Sequence, residues 1–329
     1  MDFPGFKLDV SALRQFQAPD PDFVYHLIIV GGGPAAMTAA IYAARKLLKL
    51  AIVTKDFGGQ MLETGEVENW LGYPRIDARE LVNNFSEHVT RFDLPVSRGP
   101  AVTSVRETDS GFAIATDDGK TYRSRALVIA TGKRHRPLDV PGEKEFSGRG
   151  VAYCATCDVP FFAGKKVVIA GGANSAFTTA IELLRAGAKV ILVNFIAGWQ
   201  ADGSLQKKAG EFKSLKLLDF HQLLAIEGQE RVNVVRVKDR KTGREKKIVT
   251  DGVFIEIGLV SITDPFKDLV ELTPQGEIKV DCACQTSREG VFAAGDVTTV
   301  PYKQIIISAG EGAKAALAAY GYLFERDLI

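Results

Sequence analysis

The chain has 329 residues, with 46% hydrophobic and 25% charged side chains, the profile of an ordinary globular protein long enough for two domains. Its 41 basic and 40 acidic side chains leave a net charge of +1. No global field therefore favours nucleic acid or an anionic membrane, and no basic block with interleaved aromatics is present. The segment from Met1 to Asp22 is polar, broken by Pro4, Pro19 and Pro21, and lacks the apolar core of a signal peptide. No apolar run is long enough to span a bilayer, so the cytoplasm is the expected compartment.

In chain order, the apolar run Tyr25 to Val30 reads as a buried parallel strand, Gly31-Gly32-Gly33 as a turn, Pro34 to Leu50 as an Ala-rich helix, and Ala51 to Thr54 as the next strand. This order is a βαβ unit. Ala101 to Ile129 reads as a β-meander with a turn at Asp117-Asp118-Gly119. The βαβ pattern then returns: a strand at Val167 to Ala170, a turn at Gly171-Gly172-Ala173, a helix at Ser175 to Ala186 and a strand at Lys189 to Val193. A second antiparallel stretch is expected over Leu223 to Ile255, turning near Lys241-Thr242-Gly243. The last part, Gly290 to Leu323, reads as a strand ending at Gly295-Asp296 and a long helix from Ile305.

Gly31-x-Gly33-x-x-Ala36 has the spacing of a dinucleotide fingerprint, and it lies after a strand and before a helix. The helix N-terminus offers free N–H groups to a pyrophosphate. An acid for a ribose hydroxyl is not evident; Asp56 is the nearest. The four cysteines form two close pairs, which is not a secreted disulfide framework. Cys154-x-x-Cys157 has the spacing of a dithiol that closes into a small disulfide ring, in which one thiolate acts as nucleophile. Asp158 beside it can exchange the proton. A structural zinc site needs four ligands, and no histidine stands at ligand spacing from this pair, so no metal is expected. Cys282 and Cys284, in a strand-like stretch from Ile278 to Gln285, read first as buried small apolar residues on one face.

Further motifs appear in order: Gly58-Gly59-Gln60-Met61, Glu66-Val67-Glu68-Asn69-Trp70, Ala130-Thr131-Gly132, Cys154-Ala155-Thr156-Cys157-Asp158, Gly290 through Asp296, and Gln304 with Ser308-Ala309-Gly310-Glu311-Gly312. From about Phe23 onward the chain resembles the low-molecular-weight thioredoxin reductases, which are FAD-dependent disulfide oxidoreductases. The resemblance implies an α/β fold of two Rossmann-like, three-layer nucleotide-binding domains. Residues 1–21 would be an extension, 22–137 and 256–329 a discontinuous FAD domain, and 138–255 an inserted domain carrying the cysteine pair. Gly31, Gly33, Pro34, Ala35 and Ala36 would hold the FAD pyrophosphate. Asp296, after Gly295, would face the ribityl or phosphate side. Gln304, between Lys303 and Ile305, would lie at the pyrimidine end. Gly59, Gln60, Asn69, Ala130, Thr131 and Gly132 would complete the cofactor site, although Asn69 and Trp70 are equally explained by turn packing. By the same resemblance, Cys157 would face the flavin, Cys154 would attack a protein partner such as thioredoxin, Asp158 would be the acid/base, and the protein would be a homodimer.

The second nucleotide unit departs from the family. Its turn carries Ala173 where a glycine would let backbone approach a pyrophosphate, so the methyl either pushes the phosphate back or forces the turn open. After Val193, Asn194-Phe195-Ile196 stands where the family has an arginine run for a 2′-phosphate. Each lost charge-assisted bond is worth about 1.5–3 kcal/mol, so efficient NADPH use is not expected. Gly171, Gly172, Ala173, Asn174, Ser175, Phe195 and Trp199 form this altered site. Phe195 and Trp199 either stack on an adenine or isoalloxazine or pack in a hydrophobic cluster. The leading expectation is flavin–dithiol exchange with ferredoxin, a second FAD or a dithiol protein in place of NADPH. The alternatives are an NAD(P)H-dependent reductase, in which NADH tolerates the missing arginines better, and an FAD-binding redox sensor.

Overall fold

The computed structural model describes residues 16–63 and 66–329, with the side chains of Glu63, Thr156 and Cys157 outside the description. Most of the extension expected over residues 1–21 therefore lies outside the described residues. The chain divides into two compact units, one of residues 1–59, 79–133 and 261–329, the other of residues 60–78 and 134–260. Residues 60–78, which carry Gln60 and Asn69, thus group with the second unit.

The first unit is built on β1 (Val24–Val30), α1 (Pro34–Arg45) and β2 (Leu50–Thr54). β1 pairs in parallel with β2 and with Thr121–Ile129, which in turn pairs in parallel with Val291–Ala293. Where these strands lie side by side, at residues 27–30, 50–53, 126–129 and 291–293, they are continuous buried apolar runs because both sheet faces are covered. α1 and the C-terminal helix Ile305–Glu325 cover one face, where Ala35, Ala39, Ala315 and Ala319 are buried. Small residues let the two helices approach closely: a Cβ on Gly312 would overlap the carbonyl of Ala35. The opposite face buries Phe112, Ile114, Phe266, Val270 and Ile278. The meander forms as expected from Val102–Thr108, Gly111–Thr116 and Thr121–Ile129. Its last strand also serves as a central parallel strand. The helix α1 ends five residues before Leu50, because Leu47 adopts a left-handed backbone (φ 59°) that turns the chain into β2.

In the second unit the parallel sheet runs Val151–Ala152, Gly252–Ile255, Lys166–Ala170, Lys189–Val193, Leu215–Leu218. The helix Asn174–Arg185 packs Phe177, Ile181 and Leu184 on one face. A three-stranded antiparallel sheet (His221–Gly228, Val232–Asp239, Glu245–Val249) packs Leu223, Ile226, Val235 and Val237 on the other. This is a helix–sheet–sheet sandwich, so the α/β expectation of Rossmann-type layers holds. One element differs from the sequence expectation. Gly252–Ile255 does not continue the antiparallel stretch but joins the parallel sheet beside Lys166–Ala170. The reason lies in a tight return: Lys166 N–H donates to Asp251 (2.8 Å), and the Asp251 N–H donates back to the Lys166 carbonyl (2.8 Å). All four residues of the strand are buried, unlike the alternating strands before it.

Candidate functional site

In the first unit, β1 ends at a glycine turn that leads into α1. Gly31 takes φ 129°, and a Cβ there would overlap the Ala130 carbonyl; a Cβ on Gly32 would overlap the Asp56 carbonyl. Packing inside the protein explains both. Gly33 is different. Its φ of −79° suits any residue, and an added Cβ would meet no atom within 4 Å. Open space at the N-terminus of α1 is compatible with the pyrophosphate position that the fingerprint implies.

The same unit brings the segments at Ala130 and Gly295 to the end of the sheet that carries this turn, whereas Gln60 and Asn69 belong to the other unit. Ala130 donates its N–H to Val30 O (2.8 Å), and Ala294 donates to Ile129 O (2.9 Å), so Ala130-Thr131-Gly132 and Gly295-Asp296 follow neighbouring strands out of the same sheet end. A Cβ on Gly295 would lie 3.0 Å from Ala35 Cβ. The half-buried Asp296 accepts a hydrogen bond from Ser308 Oγ (3.0 Å). Gln304 is the N-cap of the C-terminal helix, whose first turn begins at Ile305. The amides that open that helix are free of intrahelical partners and can face a ligand. The residues present therefore fit FAD.

In the second unit, Cys154 stands at the start of the short helix Ala155–Asp158, its carbonyl accepting the Asp158 N–H (2.9 Å). Cys154 is disulfide-bonded, whereas Cys282 and Cys284 are free. The Cys157 side chain, on which half of the expected dithiol falls, lies outside the described residues. Asp158 is buried and lines a cavity of about 390 Å³ together with Phe161, Phe162, Lys165, Arg231 and Arg75, the last of which is hydrogen-bonded to Glu66. Just before the pair, Tyr153 packs on the His135 ring (4.7 Å between centroids). Burial pushes the His135 imidazole down to about 4.

The second glycine turn answers the question that Ala173 raised. Ala173 is the N-cap of the helix Asn174–Arg185 with φ −99° and ψ −174°, against −79° and −175° at Gly33. The turn has not opened; the methyl is accommodated in an extended conformation open to any residue. Ala173, Asn174 and Ser175 are exposed, and the side chains of Asn174 and Asp202 bond at 3.0 Å. Gly171 and Gly172 are fixed internally, against the carbonyl of Glu256 and the side chain of Asn194.

At the end of Lys189–Val193, the buried Asn194 donates to Gly198 O (2.8 Å) and to Asp219 (3.2 Å). Trp199 packs edge-on against Phe177 (5.3 Å) and belongs to the helix-side core, so of its two readings the structure supports packing. Phe195 is 51% exposed and carries the Arg240 guanidinium 3.8 Å from its ring centroid. Sequence reasoning missed Arg240, which comes from the turn after Val232–Asp239 and bonds the Phe195 carbonyl (2.7 Å). Nothing local marks it, since 45 residues separate the partners. It also missed Glu256, which accepts a hydrogen bond from Thr179 (2.8 Å) and whose pKa is raised by burial.

Cys282 and Cys284 do not share a strand face. They lie in a tight turn, closed by the Cys284 N–H on Asp281 O (3.1 Å), with Cys284 at φ 64°. Cys282 is exposed, and only Cys284 is buried. Among the described residues, no group of three or more His, Cys, Asp and Glu could hold a metal ion, and no helix is long and apolar enough to cross a membrane.

Comparison with known proteins agrees with this geometry. The family model described as pyridine nucleotide-disulphide oxidoreductase matches residues 25–316. The chain is 41% identical over 322 residues to an alkyl hydroperoxide reductase subunit of Pseudomonas putida, covering 96% of this chain and 62% of that relative. It is 40% identical over 299 residues to a Bacillus subtilis protein named NADH dehydrogenase, covering 91% of this chain and 58% of that one. The chain thus spans less than two thirds of the length of either relative. The crystal structure of thioredoxin reductase from Streptococcus pyogenes MGAS5005 is similar with a TM-score of 0.87 and 35% identity, covering 92% of this chain and 99% of that one. Matched by sequence and by fold along nearly its whole length, the chain belongs to the pyridine nucleotide-disulphide oxidoreductase family and is a flavin-dependent enzyme of thioredoxin-reductase-like fold.

Proposed function

We propose that this enzyme reduces a disulfide in a small protein partner, of the thioredoxin or peroxiredoxin-system type, with electrons that enter from NADH in preference to NADPH. One observation carries the choice of donor. The turn at Ala173 keeps the backbone geometry of the turn at Gly33, which supports a pyrophosphate cradle here. Beside it, Asn194 stands where the family resemblance puts the arginine run for a 2′-phosphate and hydrogen-bonds the Asp219 carboxylate, which supports this reading. A carboxylate near a phosphate is repulsive, whereas a ribose hydroxyl tolerates it. The nearby cation Arg240 has its guanidinium stacked between Phe195 and Phe220, 3.8 and 4.5 Å from the ring centroids. The names of two relatives, a hydroperoxide reductase subunit and an NADH dehydrogenase, point to the same chemistry.

FAD, when bound at Gly31 to Ala36, supplies the two-electron relay between nucleotide and dithiol. In this reading the Cys154 thiolate attacks the partner disulfide and forms a mixed disulfide. Cys157 displaces the partner's second thiolate as the Cys154–Cys157 disulfide forms, so two electrons leave the dithiol and enter the partner. Asp158, which faces the cavity, holds the proton that each leaving thiolate takes up. A homodimer is part of this proposal.

The test is an anaerobic titration of the purified flavoprotein with NADH and with NADPH, followed by flavin absorbance. Bleaching by NADH at concentrations where NADPH is inert is expected. Equal bleaching by both would overturn the donor preference. No bleaching by either, with dithionite as control, would favour ferredoxin or a second flavin in the altered site.

A further inference from the structure

We infer that Lys133 tunes the reduction potential of the bound flavin by drawing Glu277 away from Lys303, a role that rests on the FAD reading of the first site. Three segments of the first unit meet here: the residue after Gly132, the turn from Thr273 to Glu277, and the residue before Gln304. Lys133 Nζ donates to Glu277 Oε1 at 2.6 Å, while Lys303 Nζ lies 3.5 Å from the same oxygen. The three side chains are largely buried, exposing 11%, 22% and 21% for Lys133, Glu277 and Lys303. Lys303 turns its donors to the carbonyls of Thr298 (2.6 Å) and Val300 (2.5 Å).

One carboxylate therefore faces two ammonium groups, and Lys133 takes it. Two buried cations on one anion are costly unless another negative charge completes the set. Burial, and next the Lys133 charge, hold the Lys303 ammonium below the ordinary lysine range. Asp296 is the other carboxylate whose charge reaches Lys303, and it accepts a hydrogen bond from Ser308. Both lysines adjoin segments assigned to the cofactor, Ala130 to Gly132 on one side and Gln304 to Ile305 on the other. A flavin that takes up two electrons and one proton gains one negative charge. An ammonium only partly neutralised, as Lys303 is by a carboxylate that it shares with Lys133, favours that reduced form over the oxidised one in a poorly solvated site. Lys133 acts at one remove: by occupying Glu277 it keeps the positive charge of Lys303 available to the ring system.

The experiment measures the flavin midpoint potential at neutral pH, by equilibration with a reference dye, in the wild-type protein and in K133M, K133R and E277Q. Flavin content and circular dichroism are recorded for each. In K133M the freed Glu277 pairs with Lys303, and the equilibrium is expected to move at least tenfold toward oxidised flavin, a fall of about 30 mV for a two-electron couple. K133R is expected to keep the wild-type value, and E277Q to move in the opposite direction. A wild-type protein that holds no flavin would sink the FAD reading itself. Folded, flavin-loaded K133M at the wild-type potential would overturn the inference. If K133M does not fold, E277Q decides: a potential equal to or below wild type would overturn it too.

Discussion

The hydroxyl of Tyr153, the residue before Cys154, donates to the buried carboxylate of Glu143 at 3.0 Å. Glu143 also accepts the N–H groups of Leu138 (3.1 Å) and Asp139 (2.8 Å), so one carboxylate closes the loop at 138–143 and anchors the residue that leads into the segment of Cys154. Losing it removes three hydrogen bonds. Glu143→Ala is expected to lower stability by about 3 kcal/mol, and Tyr153→Phe by about 1 kcal/mol, in denaturant unfolding. A Glu143→Ala protein of unchanged stability would show that the loop has other support.

Asp158→Asn keeps the shape of the side chain and removes the proton carrier. Turnover with a disulfide protein is expected to fall by about 100-fold or more, the usual range for a lost acid/base group. The flavin spectrum and flavin reduction by the nucleotide should change far less. Equal losses in both half-reactions would mean that Asp158 acts through structure.

Gly33→Val and Gly312→Ala separate cofactor space from packing space. A side chain at Gly33 meets nothing in the protein, so Gly33→Val should fold normally and purify without flavin. A methyl at Gly312 overlaps the backbone of Ala35, and Gly312→Ala is expected to cost about 1–3 kcal/mol as the helices are forced apart. Flavin content and melting temperature of the two variants check both statements; a flavin-replete Gly33→Val protein would contradict the cradle.

The imidazole of His135, held neutral by burial, gives a signed pH effect. Its folded pKa of about 4 lies below the ordinary value of 6.5, so the unfolded chain binds more protons between those values. Stability is full above about 6.5 and is lost as the pH falls toward 4. The loss is on the order of 3 kcal/mol, since each tenfold change in proton affinity is worth about 1.36 kcal/mol. Unfolding midpoints measured across this range should fall more steeply with acid in the wild type than in His135→Phe. A wild-type curve no steeper than that of His135→Phe would contradict it.

The two free cysteines should react unequally. Burial first, and then the hydrogen bond to Glu311 (3.0 Å), push the Cys284 thiol up to about 12. Iodoacetamide on the native, non-reduced protein is expected to modify the exposed Cys282 and to reach Cys284 only after denaturant is added. Mass spectrometry of the digest reads the result.

The amino-acid sequence by itself determined the repeated strand–glycine turn–helix units, because tight turns and buried strands are written in local residue types at fixed spacing. It placed Gly31 to Ala36 and the segments at Ala130 and Gly295 in one cofactor site through their family resemblance, and the fold brings those three segments to one sheet end. Tertiary structure alone decided the rest. Gly252–Ile255 joins the parallel sheet because Asp251 and Lys166, 85 residues apart, close a return that no local pattern announces. Ala173 keeps the turn because backbone conformation, not residue identity, decides whether a methyl fits. Arg240 reaches Phe195, and Lys133 meets Glu277 across 144 residues, because charge compensation depends on distance in space, and sequence separation carries no record of it.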